Sequence, residues 1–428
     1  MYRTYVALLS KFLRPDLDSF VTGLCSSFLG KTPQESSSNF IFCFVVNGNI
    51  SEYRIREMFL ERVVNLKDSK NNFIYKRLSQ YWTTFLGYAF WKTDKSFKLS
   101  NHVRKYDYDH VISTKPTDED NLKKVFEDLL MAPWKSYQSN WEVLVQYPFN
   151  RKSSSEIIVP GQSLVIFRFD HSLLDGISAI NLFRMLFQSP FSMTKPVRNG
   201  KKLSAWHKII LWISLPFELS KSLPILLRGR CLGKRDPSKG WVYDVTKNIP
   251  VNAIKTIKQK QSIEFRSVVH SSINGGMTNQ TKFVVDELPL KSPSPLDRLL
   301  ATDAALKGYE GGMSSFASLY LSRIISMFPA AISRQFLPAM YYLGPSYFLT
   351  VIPCTTTREF IDNLEIVDVY IMAGFMVPIG MVITVWGINN KQRANFLATP
   401  CIFGMDNTPI AKLAADFVQE LEELASLS

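Results

Sequence analysis

The segment that most constrains the fold is an apolar strand that leads directly into an amphipathic helix near the middle of the chain. Residues 163–169, SLVIFRF, have the β-branched and aromatic composition of a buried strand. The apolar residues that follow, Ile177, Ile180 and Phe183, recur at a spacing typical of a helix. This junction indicates an α/β (α+β) architecture. The polar turn at 170–176, DHSLLDG, lies where functional groups are often found.

The length of the chain predicts more than one domain. A single core usually stops growing before 428 residues, so we expect two domains of about 200 residues each. A Ser-rich stretch ends an amino-terminal interfacial segment, 1–38, and a first α/β domain follows at 39–190. A basic, apolar crossover at 191–240 then leads to a second α/β domain at 241–428.

The positive charge of the protein is concentrated in one stretch. The net charge is +13, and residues 195–239 carry eleven basic against two acidic residues. An apolar run at 209–227 lies among them, but Pro216, Glu218 and Pro224 interrupt it. A transmembrane helix needs about 20 uninterrupted apolar residues, so this run predicts a segment on an anionic membrane surface. The alternative is a solvated basic linker over a buried helix. Nucleic-acid binding is disfavoured, because no groove-reading motif accompanies the basic residues.

Two other apolar stretches also fail as membrane spans. Residues 369–387 carry no charge but are divided by Gly374, Pro378 and Gly380, which favours two buried strands around a turn. Residues 1–20 lack the cleavage site of a signal peptide and suit an interfacial helix. The five cysteines are far apart and have no zinc spacing, which indicates reduced thiols in a cytosol-facing protein and no metal site.

The polar turn contains residues suited to acid-base chemistry. His171 begins an HxxxDG arrangement, and imidazole is the side chain whose ordinary pKa suits proton abstraction near neutral pH. Asp175 is better placed to hold the turn than to act on a substrate, and Gly176 suits a tight bend into the helix. The spacing alone also allows a purely structural histidine.

Several ordered motifs resemble one enzyme family. HSLLDG at 171–176 is similar to the HHxxxDG signature of the wax ester synthase / diacylglycerol O-acyltransferase family, within the chloramphenicol-acetyltransferase-like acyltransferases. FKLSNHV at 97–103 resembles the family's F-x-L-x-x-H-V, and NWE at 140–142 resembles its P-L-W-E. Residues 294–309 are similar to the family's T-V-N-D-V-L-L-A through A-L-R-x-Y. The resemblance covers about residues 39–428, and several ordered motifs arise by chance far less often than one.

The resemblance implies two chloramphenicol-acetyltransferase-like domains with mixed sheets and a tunnel at their interface. It implies that His171, assisted by Asp175, is the general base that moves a fatty acyl group from acyl-CoA to a long-chain alcohol or a diacylglycerol. Acyl-CoA is then a co-substrate, and no tightly bound cofactor is expected. The expected location is the cytosolic face of the endoplasmic reticulum or plasma membrane, or a lipid droplet. The basic residues expected to contact the membrane or the CoA phosphates are Lys201, Lys202, Arg228 and Arg230.

Three positions depart from the family pattern. Asp170 replaces the first His of the signature, and an acidic neighbour is expected to raise the basicity of His171. Leu296 replaces an Asn, although Asp297 beside it remains as a supporting residue, and Cys354 replaces a glycine. These departures motivate a second hypothesis, a catalytically weak or inactive lipid-binding paralogue of the same fold. A small polar acyl acceptor is a third.

Overall fold

The computed structural model describes residues 1–36, 38–108, 114–152, 158–191, 204–228, 240–251, 277, 294–309, 314–342, 347–352, 354–375, 379–399 and 408–426. The helices in these ranges are α1 (Tyr2–Leu13), α2 (Leu24–Ser27), α3 (Glu52–Phe59), α4 (Leu99–His102), α5 (Glu119–Met131), α6 (Gly176–Phe187), α7 (Ala205–Arg228), α8 (Pro295–Tyr309), α9 (Ser314–Ile325), α10 (Ala330–Ser333), α11 (Phe336–Tyr342) and α12 (Thr408–Ser426). The strands are β1 (Leu17–Phe20), β2 (Ser38–Asn47), β3 (Gln80–Phe85), β4 (Tyr88–Thr93), β5 (Val103–Lys105), β6 (Trp141–Lys152), β7 (Ile158–Asp170), β8 (Val242–Val245), β9 (Ile249–Pro250), β10 (Phe348–Val351), β11 (Phe360–Ile361), β12 (Leu364–Phe375), β13 (Met381–Ile388) and β14 (Lys391–Ala398).

Three mixed or antiparallel sheets form in the described part of the chain. The largest has the strand order β11-β12-β2-β7-β6-β5, in which only β5 and β6 pair in parallel. A second sheet has the order β10-β13-β14-β8, with β9 also on β14, and β10 pairs with β13 in parallel. The third is a small sheet, β1-β4-β3. This architecture confirms the predicted α/β class with mixed sheets.

Strand β2 lies at the centre of the largest sheet and is buried on both faces. All its residues except the last are buried, which fits its nearly uninterrupted apolar sequence. On one face, Phe42 and Phe44 make edge-to-face ring contacts with Phe183 of α6 and with Trp386 of β13. The first and second sheets therefore share one hydrophobic core.

The largest sheet combines strands from both ends of the chain. β12 pairs antiparallel with β2 from Ile366–Val46 to Phe375–Ser38. The two strands predicted within residues 369–387 are confirmed as β12 and β13. The four domain ranges proposed from the sequence stay a prediction, and β12 shows that the first sheet includes a strand from the second of the two α/β ranges.

The basic, apolar crossover contains the long helix α7, which includes Pro216 and Pro224. Most of the described side chains of α7 are exposed, and both the membrane-surface segment and the solvated linker stay predictions. Leu215 and Glu218 face the protein, while Ile213 and Phe217 are 77% and 63% exposed. Among the described residues, no helix has the length and apolar character needed to cross a membrane.

A buried ion network holds β6 and β7 together near the end of β7. Glu142 on β6 accepts hydrogen bonds from Arg168 Nη1 on β7 at 2.8 Å and from Arg104 Nη2 on β5 at 2.7 Å. Tyr108 OH donates to the same carboxylate at 2.9 Å. The two guanidinium groups outweigh desolvation and lower the pKa of Glu142. The network places three strands in fixed register beneath the polar turn.

We predict that Glu142→Gln lowers the free energy of unfolding by about 3 kcal/mol, because Arg168 is fully buried and loses its paired charge. Urea unfolding followed by tryptophan fluorescence measures the change. The control is Glu57→Gln on α3, which removes an ion pair to Arg54 from a side chain that is 61% exposed. That change is expected to cost less than about 1 kcal/mol. Equal losses in the two variants would contradict a specific role for the network.

Candidate functional site

The HxxxDG turn lies where the largest sheet meets α6. β7 ends at Asp170, and His171 follows it. The His171 backbone N–H donates to the carbonyl oxygen of Ser38 at 2.8 Å, which ties the turn to the first residue of β2. Phe375 pairs with Ser38 from the other side. The ends of β7 and β12 and the start of β2 therefore meet at His171.

Three aromatic rings surround the His171 imidazole. Phe28, directly after α2, stacks on it with a centroid distance of 4.1 Å and an interplanar angle of 6°. Phe40 of β2 approaches edge-on at 5.1 Å, and Phe375 of β12 lies at 6.1 Å. These rings come from distant parts of the chain, and no sequence motif marked them. Strand register places Phe40 and Phe375, whereas the end of α2 places Phe28.

Aromatic burial controls the charge of His171. Exclusion of water disfavours the imidazolium ion and lowers the pKa of His171 to about 4, although a hydrogen bond to the residue's own backbone acts in the opposite direction. The ring is therefore neutral at pH 7 and has a lone pair that can accept a proton. Because the unfolded chain binds this proton more readily, acidification from about pH 6.5 to 4 destabilises the folded protein.

Asp170 does not act on His171 as the sequence suggested. Its carboxylate accepts from the Ser172 backbone N–H at 2.7 Å and from Asn140 Nδ2 at 3.3 Å. Burial raises the pKa of Asp170 despite these hydrogen bonds. The expectation that this acidic neighbour raises the basicity of His171 is wrong, because burial dominates and lowers the pKa of His171. Asp170 instead holds the turn against Asn140, whose own carbonyl accepts from the Asp170 N–H.

Asp175 and Gly176 form the start of α6. Asp175 is the N-cap residue, and its Oδ1 accepts from the Ser178 backbone N–H at 2.8 Å. Gly176 lacks the left-handed backbone that a tight bend would require, so that explanation of the glycine is wrong. A Cβ atom at Gly176 would lie 3.4 Å from Ile352 Cδ1, in the residue after β10. That distance is an ordinary van der Waals contact, so neither the backbone nor the packing explains why this position is a glycine.

Asp297 and the two departures beside and after it, Leu296 and Cys354, lie in the carboxy-terminal part of the chain. Asp297 is exposed in the first turn of α8, where its carboxylate accepts from Ser294 Oγ at 2.7 Å. Leu296 beside it is half-buried. Cys354 is buried, with Sγ 3.2 Å and 3.3 Å from the carbonyl oxygens of Thr355 and Lys391.

Four basic residues were predicted to contact a membrane or the CoA phosphates, and the structure describes one of them. Lys201, Lys202 and Arg230 lie outside the described residues, and Arg228 is the last residue of α7. Their contact with a membrane or with CoA phosphates stays a prediction.

His102, from the FKLSNHV motif, is buried between α4 and the start of β6. Its Nδ1 is 2.8 Å from the Trp141 carbonyl oxygen, and its ring stacks on that indole at 4.6 Å. Burial lowers the pKa of His102 to about 4. The FKLSNHV and NWE motifs therefore contact each other, and their shared role is to pack α4 against β6.

A surface cavity of about 490 Å³ lies at the other end of the largest sheet. Arg151, Glu365 and Asn390 are among the residues that line it. Glu365 and Phe375 are at opposite ends of β12, about 30 Å apart at the rise of a strand. This cavity is therefore remote from His171, and the tunnel implied by the resemblance stays a prediction.

The chain shares its overall fold with acyltransferases of solved structure, in agreement with the fold that the resemblance implied. It is similar to the wax ester synthase/diacylglycerol acyltransferase from Marinobacter aquaeolei VT8, with a TM-score of 0.56 and 13% identity over 96% of this chain and 100% of that one. It is also similar to the TRI3 trichothecene 15-O-acetyltransferase from Fusarium sporotrichioides, with a TM-score of 0.56 and 10% identity over 94% and 93% of the two chains. The SgcC5 protein from Streptomyces globisporus aligns with a TM-score of 0.52 and 12% identity over 99% and 98%. No protein-family model and no curated protein sequence matches the chain.

We predict that Phe28→Ala raises the pKa of His171 from about 4 toward the ordinary 6.5, because water then reaches the imidazole. NMR titration of the histidine C2 protons measures the shift, with the His171 signal assigned by its loss in His171→Gln. Phe126→Ala is the control, since that phenylalanine is equally buried but packs against Tyr370 and Tyr243. An unchanged His171 titration in Phe28→Ala would show that stacking does not set the pKa.

Proposed function

We propose that the protein is an acyl-CoA-dependent O-acyltransferase in which His171 is the general base. The observation that carries this proposal is a neutral, aromatic-enclosed imidazole at the end of β7, within a fold shared with acyltransferases. Asp175 supports it as a positioning residue, because it caps the helix that follows the turn. Acyl-CoA is the co-substrate.

The reaction needs only one proton carrier. His171 accepts the proton of the acceptor hydroxyl as the oxygen attacks the thioester carbonyl. The tetrahedral intermediate then collapses, the C–S bond breaks, and the imidazolium returns its proton to the departing CoA thiolate. An imidazole with a pKa of about 4 is a weak base, and the negative charge that develops in the transition state is what favours its protonation.

The proposed acceptor is a long-chain alcohol or a diacylglycerol, which gives a wax ester or a triacylglycerol. The apolar surroundings of His171 support this choice, since Phe28, Phe40 and Phe375 favour an alkyl chain over a polar acceptor. We place the reaction at a membrane or lipid-droplet surface, on the cytosolic face of the endoplasmic reticulum or plasma membrane. The exposed apolar face of α7 supports this location.

We predict that His171→Ala lowers kcat by about 10² to 10⁴, the usual contribution of a general base. The assay follows labelled palmitoyl-CoA with hexadecanol and with dioleoylglycerol as acceptors. His102→Gln is the matched control, because it changes a second buried histidine whose contacts are with Trp141. It is expected to keep activity of the same order. Ester formation undiminished by His171→Ala would exclude the mechanism.

A lipid-binding paralogue with weak or no activity is the second candidate function. Leu296 favours it, because an amide at this position in the family pattern is replaced by a half-buried apolar side chain. Cys354, buried against the β13–β14 turn, is the other departure.

The substitution Leu296→Asn separates the two functions. If the wild type binds acyl-CoA but makes no ester, we expect the restored amide to produce measurable turnover, since one oxyanion donor contributes about 10² to 10³ in kcat. Isothermal titration with palmitoyl-CoA and the ester assay are run together on both proteins. Leu296→Ala is the control for loss of the larger side chain. Ester formation by the wild type at the rate of an ordinary enzyme, about 1 s⁻¹ or more with a lipid alcohol, would contradict the paralogue hypothesis.

A further inference from the structure

Helix α1 presents an apolar stripe to the outside of the protein. Val6 and Ser10, which are 0% and 8% exposed, face the protein, where Val6 packs against Tyr88 and Phe90. A helix turns by about 100° per residue, so the residues on the opposite side are one to two positions away. Those outward residues are Met1, Tyr5, Leu8 and Phe12, between 54% and 111% exposed. A helix on a soluble surface normally has polar residues there.

The tip of the β3–β4 hairpin and the α9–α10 connection extend this stripe. Tyr2 OH of α1 donates to the Leu86 carbonyl oxygen at 3.3 Å, and the Ala330 N–H of α10 donates to the Gly87 carbonyl oxygen at 2.8 Å. Three chain segments thus meet at the hairpin tip. The apolar side chains exposed at this junction are Leu86, Met327, Phe328 and Ile332. We call the surface formed by Tyr5, Leu8, Phe12, Leu86, Phe328 and Ile332 the apolar face.

Helix α7 repeats the pattern of α1. Its outward residues are Trp206, Ile210, Ile213 and Phe217, with the same spacing of four, three and four residues and exposures between 40% and 77%. α7 packs on α9, where Leu215 contacts Ala317 and the rings of Trp212 and Tyr320 are 6.1 Å apart. Since α9 leads directly to the exposed Met327, α7 lies next to a segment of the apolar face.

Basic side chains predominate around the apolar face, although Arg14 at the end of α1 is paired with Asp16. Residues 1–14 and 314–342 carry five Arg and Lys side chains and no Asp or Glu. Lys11 and Arg323 are exposed beside the apolar side chains. An anionic lipid surface is complementary to such a face, because it takes up the apolar side chains and attracts the basic ones. A second copy of the chain is disfavoured, since a two-fold interface would place the like charges against each other.

The apolar face is connected to His171 by one short helix. α9 and α10, which flank the exposed Phe328, both contact α2. α2 ends at Ser27, and the next residue is Phe28, whose ring stacks on His171. The apolar face is therefore linked to the base through α2 and the ring of Phe28.

We propose that the apolar face docks the protein on bilayers with anionic headgroups and that a lipid acceptor enters beside α2. The entry of an acceptor rests on the proposed function, whereas docking does not. Patches of this kind are uncommon on monomers unless they serve an interaction. Docking by the apolar face would orient the protein with the segment that carries Phe28 toward the lipid.

Flotation with unilamellar vesicles tests docking in the absence of any substrate. We expect the full chain to float with phosphatidylcholine vesicles that contain phosphatidylserine and to float less with phosphatidylcholine alone. Phe328→Gln and the double variant Leu8→Gln, Phe12→Gln are each expected to lower the partition coefficient by about tenfold or more. The control is Phe73→Gln, since Phe73 and Phe328 are both 48% exposed but Phe73 contacts Lys67 in another loop.

The outcomes separate docking from catalysis. Wild-type partition in all variants, or a wild type that stays with the aqueous phase on both vesicle types, overturns docking by this face. A wild-type dimer that Phe328→Gln dissociates, without vesicle binding, identifies a self-association surface and also overturns it. Transfer from a soluble short-chain acyl-CoA to a soluble alcohol, measured without vesicles, reports on the proposed function independently.

Discussion

Exclusion of water from the end of β7 is the constraint on which the candidate site depends. Phe28 and Phe40 enclose His171, and this burial lowers its pKa so that the ring is neutral at pH 7. The same enclosure determines the chemistry that suits the site. The imidazole is uncharged before the reaction, and it would become charged only when it accepts the proton of a substrate hydroxyl. Burial, rather than the neighbouring Asp170, controls the acid-base state of the imidazole.

The protein combines a dry interior site with an apolar exterior close to it. A lipid chain leaving a bilayer loses little when it moves between two apolar environments, whereas passage through water would cost about 0.8 kcal/mol for each exposed CH₂ group. The proposed route from the apolar face past α2 to Phe28 would therefore suit a substrate that is rarely free in solution. A water-soluble acceptor would gain nothing from that arrangement.

The fold class and the position of His171 could be predicted from local patterns, because strand and helix periodicity and the HxxxDG turn lie within a few residues of each other. The explanation of Asp170 was wrong because its surroundings come from elsewhere in the chain, where Asn140 holds its carboxylate. The explanation of Gly176 was wrong because its backbone is not left-handed, and nothing in the structure requires a glycine there. Phe28 and Phe375 could not be found either, since strand pairing brings Phe375 to the site and the packing of α2 brings Phe28 there. The outward apolar stripe of α1 can be identified in the sequence once Val6 is known to face the protein.

The pairing of β12 with β2 has a consequence for how the chain folds. Asn39 is made early in synthesis and Gly374 late, yet they are register partners. Until β12 is available, β2 has one open hydrogen-bonding edge and Phe375 is absent from the site. Closing so long a loop is entropically costly and slow, and an open edge is prone to pair with other chains. The nascent amino-terminal half is therefore the species that a chaperone would have to protect.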